Sequence, residues 1–248
     1  MNLELFYRIY ENLPRQGPGN ATATRRAWKA VPPVGSAPHI LDIGCGAGKQ
    51  SLTLTTLSEG RLVALDNHQP FLDRLQSDAE QKGLSDRIAC TCMDMANMTF
   101  APSSFDVIWS EGAIFILGFK EGLLAWRPFL RPLGVMVVSE IAWLRPDPPT
   151  ELIEFWGTEC PDMVDKEALL ITAERCAFHV LDHFILPEEA WWADYYQPLE
   201  AQITHLRQDH ADDDSALILL NTLQQEIDMY RKYHEYYGYV FYVMQRTD

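Results

Sequence analysis

Nothing in this chain of 248 residues approaches the run of about 20 apolar residues that a membrane-spanning helix needs, so no membrane partner is expected. Basic residues are scarce: 20 Lys and Arg stand against 35 Asp and Glu, a formal net charge of −15. So acidic a surface repels a phosphate backbone. The basic clusters, Arg25-Arg26-x-x-Lys29 and Arg231-Lys232, are short, and no nucleic-acid partner is expected. Five cysteines (Cys45, Cys90, Cys92, Cys160, Cys176) are scattered, with neither a CxxC pair nor zinc spacing to a histidine. His68, His179, His183 and His234 show no ligand spacing either, and no metal is expected. Reduced thiols and a cytoplasmic location follow from that cysteine usage. The start Met1-Asn2-Leu3-Glu4 has an early acid and no basic-then-apolar pattern, so no export signal is expected. Ser110 lacks a G-x-S-x-G setting, which removes support for a hydrolase nucleophile.

What the chain does have is apolar residues, 47% of the total with 11% aromatic, enough for a sizeable core. Helical spacing marks residues 3–13 and 22–30, with the Pro/Gly cluster 14–19 between them. From residue 39 short apolar runs (39–43, 61–65, 87–92, 105–110, 134–140) alternate with helical stretches, among them 70–82 and 117–129. Helices over 151–156 and 166–176 precede a strand at 178–186, and a last strand spans 237–245. That alternation predicts an α/β, Rossmann-like three-layer sandwich. Its seven-stranded sheet is mostly parallel, with an antiparallel last strand and a helical insertion before it. The whole reads as one domain: an N-terminal helical cap (1–37), a core (38–187), an insertion or lid over one sheet edge (188–234) and the final strand (235–248).

The most informative segment is Leu41-Asp42-Ile43-Gly44-Cys45-Gly46-Ala47-Gly48, between a strand and a helix. Glycines there let the backbone turn sharply and a ligand approach closely. Asp66 ends the second strand, where a carboxylate can accept hydrogen bonds from ribose hydroxyls. Dinucleotide folds use G-x-G-x-x-G beneath a pyrophosphate. Here the spacing is G-x-G-x-G, and Asp42 would repel a pyrophosphate while attracting an ammonium. A nicotinamide dehydrogenase is therefore disfavoured.

In these residues the chain resembles the class I S-adenosylmethionine-dependent methyltransferases, and in "RQGPG" and "WSEGAI" a bacterial branch of unassigned substrate. The resemblance runs from about residue 38 to 140. It implies S-adenosyl-L-methionine as cofactor, held by the loop Asp42, Gly44, Cys45, Gly46 and Gly48. By the same resemblance Asp66 takes the ribose, Asp94 and Met95 the adenine, and Ser110 lines the transfer pocket; Asn67 is a further candidate cofactor contact. Arg15 and Gln16 are candidates for the cofactor carboxylate.

Strands of a parallel sheet present ligands at their carboxyl ends. Glu111 and Glu140 lie there with Trp143 near, and carboxylates beside aromatic faces suit an amine acceptor. Both acids are candidate proton acceptors. Tyr10, Glu111, Trp143, Trp192 and Tyr195 are candidate pocket residues. The stripes Trp191-Trp192-x-x-Tyr195-Tyr196 and Tyr230-x-x-Tyr233-x-x-Tyr236-Tyr237 read first as core, with a lid as the functional alternative. In-line methyl transfer to a small molecule is the expected function; a non-catalytic cofactor-binding sensor or partner subunit is the alternative. A homodimer through exposed aromatics of the insertion stays open.

Overall fold

The short apolar runs satisfy their backbone groups by pairing with each other, the central ones buried on both faces and the edge ones, Ile88–Cys92 and Phe178–Ile185, partly exposed. In the computed structural model, which describes residues 2–248, they form β1 (His39–Ile43), β2 (Arg61–Asp66), β3 (Ile88–Cys92), β4 (Phe105–Glu111), β5 (Leu130–Trp143), β6 (Phe178–Ile185) and β7 (Tyr237–Arg246). They make one sheet in the order β3-β2-β1-β4-β5-β7-β6. Only β7 runs antiparallel, pairing with β5 from Val135↔Gln245 to Trp143↔Tyr237 and with β6 on its other side. This is the predicted sandwich and strand direction.

Ten α-helices are described: α1 (Leu3–Glu11), α2 (Ala21–Ala30), α3 (Lys49–Leu57), α4 (Gln69–Gln81), α5 (Phe119–Trp126), α6 (Thr150–Glu159), α7 (Lys166–Arg175), the short turn α8 (Glu189–Trp191), α9 (Gln197–Asp209) and α10 (Asp214–Tyr233). A π turn, Trp192–Tyr196, joins α8 to α9. None of them is long and apolar enough to cross a membrane. Asn20 and Asp213 start α2 and α10 by accepting backbone N–H bonds, as short polar side chains do at helix N-termini.

Strand alternation splits the interior into two layers. Ile40, Val107, Trp109, Val135, Val137 and Ile141 face α1–α4, α6 and the insertion. Leu41, Ile108, Met136, Val138 and Ala142 face α5 and α7. The insertion does not stand over a sheet edge alone. It shares the first layer with α1, through contacts such as Tyr10 with Tyr195 and Arg8 with His210.

Several boundaries differ from those expected, α6 running to Glu159 and β5 to Trp143, and two differences have a clear local cause. The helix expected over 117–129 is broken into α5 and flanking 3-10 turns, since Gly118 sits at φ +88 and Pro128 lacks a donor. β5 begins at Leu130, four residues early, because Leu130 pairs with Phe105 ahead of a register shift. All five cysteines are free thiols.

Candidate active site

The turn after β1 closes through three glycines at positive φ: Gly44 (+67), Gly46 (+53) and Gly48 (+75). At Gly48 a side chain is excluded twice, by its left-handed backbone and by the buried Leu75 side chain, which an added Cβ would overlap. The Gly46 amide donates to Asp66 Oδ2 (2.9 Å) and the His68 amide to Oδ1 (3.0 Å), so the glycine turn and the end of β2 lock each other. Burial pushes the Asp66 carboxyl up against these bonds. A carboxylate has about four acceptor sites, so two further donors can still be taken.

Below the turn, Asp42 is fully buried and accepts a hydrogen bond from Ser51 of α3. Burial drives its carboxyl up to about 8, opposed by that bond. It underpins the start of α3 and does not line the cavity.

A cavity of about 490 Å³ opens over the carboxyl ends of the strands. Of the residues expected to hold the cofactor, Gly44, Cys45, Gly46, Asp66, Asn67, Asp94, Met95, Arg15 and Gln16 line it; Asp42, Gly48 and Ser110 do not. Asp94 is exposed, and the Ala96 amide and Asn97 side chain hold its carboxyl below the usual range. Gln16 reaches into the turn: its Oε1 accepts from the Ala47 amide (2.7 Å) and its Nε2 donates to the Tyr10 carbonyl (3.1 Å). His68 lies outside the lining, stacked on Tyr7 at 4.0 Å and bonded to Glu11. Carboxylates at Asp66 and Asp94, thioethers at Met93 and Met95 and a wall of glycine backbone make a donor set that fits a nucleoside carrying a sulfonium and two ribose hydroxyls.

The remaining walls of the same cavity come from elsewhere in the chain. Tyr10 of α1, Trp156, Glu159 and Cys160 at the end of α6, Trp191 and Tyr195 of the insertion, Glu226 of α10 and Tyr239 of β7 converge there. Tyr10 and Tyr195 touch hydroxyl to hydroxyl (3.3 Å), and Trp191 stacks on Tyr230 and Tyr239. Trp191 and Tyr195 are thus both core and cavity wall. Trp143 and Trp192 lie outside the lining; Trp192 instead packs on Tyr196 and Tyr230 and carries the Arg231 guanidinium on its ring.

The two acids expected near the acceptor part company. Glu111 lines the cavity, but its Oε2 pairs with Arg15 (2.7 Å), and its Oε1 accepts from Thr24 (2.8 Å) and Trp109 (2.9 Å). Glu140 shares the parity of Val138 and Ala142, which places it on the sheet face opposite the cavity. Its Oε1 accepts from the Ile141 amide, its Oε2 has no protein partner among the described residues, and burial lifts the carboxyl to about 8. Ser110 shares that face and is likewise buried without a partner.

Sequence reasoning missed Glu226. It is only half-buried, and it lines the cavity, where Tyr196 Oη donates to its Oε1 (2.9 Å). The surrounding apolar wall raises its carboxyl to about 7, with Glu159 adding to the rise. In the run Gln224-Gln225-Glu226-Ile227-Asp228 nothing separates it from a solvated helix face.

Residues 40–134 match the methyltransferase domain family. A sterol 24-C-methyltransferase of Pneumocystis carinii is 30% identical over 156 residues, 60% of this chain and 41% of that protein. One from Aspergillus fumigatus is 27% identical over 179 residues, 67% of this chain and 46% of that protein. The chain therefore spans less than half the length of these curated relatives. A methyltransferase from Geobacter sulfurreducens, solved with S-adenosyl-L-homocysteine, shares the fold with a TM-score of 0.81 at 20% identity over 97% of both chains. The corresponding complex from Thiobacillus denitrificans gives 0.82 at 17% identity, again over 97% of both.

Proposed function

We propose that this chain, which carries the methyltransferase domain over residues 40–134 and folds as the class I S-adenosylmethionine-dependent methyltransferases do, methylates a small-molecule acceptor. The observation that carries the reading is a single cavity whose walls are the glycine turn and Asp66 on one side and the aromatic residues of α1, α6, the insertion and β7 on the other. Cofactor and acceptor can meet there without crossing solvent. S-adenosylmethionine supplies a methyl group already activated on a sulfonium, which an acceptor lone pair takes in line as the C–S bond pair returns to sulfur.

The protein's task is alignment and exclusion of water. Asp66 would hold the ribose hydroxyls and Asp94 the adenine amino group. The glycine backbone would pass beneath the methionine part. Gln16 holds the N-terminal segment against the turn through the Ala47 amide, so that α1 roofs the site. Among acceptors, an amine is favoured: five carboxylates (Asp66, Asp94, Glu111, Glu159 and Glu226) line the cavity against two cations, Arg15 and Lys49, and Arg15 is neutralised by Glu111.

Calorimetric titration of the purified protein with S-adenosylmethionine and S-adenosylhomocysteine tests this. Micromolar binding of both is expected. A folded protein that binds neither overturns the reading.

A further inference from the structure

Glu226 stands in a setting unlike that of the other acids lining the cavity, of which Glu159 is solvent-exposed at the end of α6. Asp66 is tied to two backbone amides, Asp94 to its own loop, and Glu111 to a guanidinium, a hydroxyl and an indole. Glu226 has one protein donor, the Tyr196 hydroxyl on Oε1, and among the described residues no donor on Oε2 and no ion pair. The titratable groups facing it are Tyr10 from α1, Glu159 from α6, Tyr195 and Tyr196 from the π turn, and Tyr237 and Tyr239 from β7. None of them is a basic group. A half-satisfied carboxylate in an aromatic enclosure lacks a cation, and the faces of tyrosine and tryptophan attract one too.

We propose that Glu226 is the charge-selecting residue of the acceptor subsite: its free oxygen receives the ammonium or N–H group of an amine whose apolar part lies against Tyr10, Trp156, Tyr195 and Tyr239, and takes the ammonium's proton before the nitrogen lone pair attacks the methyl group. This rests on the function proposed above and deepens it. The subsite admits amines and quaternary ammonium ions and rejects alcohols of the same shape and carboxylates. Tyr196 is a positioning residue that fixes the carboxylate plane from outside the cavity. Because the subsite carboxyl is held up to about 7, it becomes fully charged only above that pH, and cation affinity rises as pH passes through it.

The test uses the full chain saturated with S-adenosylhomocysteine and titrated calorimetrically with tetramethylammonium, benzylamine, benzyl alcohol and benzoate. At least one cation is expected to bind about ten- to a hundredfold more tightly than the alcohol and benzoate, the range of a hydrogen bond or contact to a charged group. Glu226→Gln is expected to remove that preference while S-adenosylhomocysteine affinity stays near that of the parent and the thermal midpoint does not fall. Tetramethylammonium keeps its charge at every pH, so a rise in its affinity between pH 6 and 8, absent in Glu226→Gln, reports the carboxylate alone. Equal binding of cations and their neutral or anionic counterparts overturns the proposal, as does unchanged discrimination in Glu226→Gln. Loss of S-adenosylhomocysteine binding by the parent protein would instead refute the underlying function.

Discussion

Replacing Glu111 by Gln removes one negative charge from a site where both partners are closed off from water. The Arg15 and Glu111 side chains are 7% and 1% exposed, and their contact is 2.7 Å. Gln can still accept from Thr24 and Trp109 through its carbonyl. Its amide then faces the guanidinium as a second donor, and Arg15 keeps only Gln50 Oε1 at 3.4 Å. Breaking such a buried pair costs about 3–5 kcal/mol, most of it the stranded charge. At roughly 2–4 °C per kcal/mol for a chain of this size, the midpoint should fall by roughly 6–20 °C. Urea unfolding followed by circular dichroism measures the loss directly. The double variant Arg15→Met, Glu111→Leu removes both charges and should recover most of the stability, because apolar replacements of a buried pair are often neutral. A Glu111→Gln protein within about 1 kcal/mol of the parent would refute the reasoning, as would a double variant no more stable than the single one. The arrangement also means that reduced turnover in Glu111→Gln would not by itself mark a proton acceptor.

Asp66→Ala should weaken S-adenosylmethionine binding by about 1.5–3 kcal/mol, the scale of hydrogen bonds to a charged group, as read by calorimetry; unchanged affinity in a folded protein would remove Asp66 from the site. Gly48→Ala should destabilise the fold by roughly 2–5 kcal/mol, left-handed backbone and overpacking together, seen as a lower urea midpoint. Asp42, Glu140 and Glu226 all have carboxyls raised by burial, to about 8, 8 and 7. In the folded state they bind protons that the unfolded chain has released, so their contribution to stability is full below the ordinary carboxylate range and is lost as pH rises toward 8. Urea midpoints of Glu140→Gln should therefore decline less steeply between pH 5 and 8 than those of the parent, and an equal slope would contradict the assignment.

The strand-helix alternation and the glycine turn were legible because both are local: apolar runs of strand length, and glycines at positions that need positive φ. The helix over 117–129 was misread because Gly118 breaks it from within, and a helical apolar pattern does not show that. Glu111 ends β4 and Glu140 lies three residues before the end of β5, and because Glu111 pairs with Ser139 their side chains leave the sheet on opposite faces. Separating the two acids requires the register between β4 and β5, which only strand pairing supplies.

The sequence by itself determined the order of strands and helices, the turn that fits a nucleoside cofactor, and the acid at the end of β2, since each depends on residues within a few positions of one another. Only the tertiary structure decided which acids are free. Arg15 meets Glu111 across 96 positions, and Tyr196 meets Glu226 across 30. The charge on a carboxylate is set by the dielectric and donors around it, and these are assembled from distant segments when the chain folds.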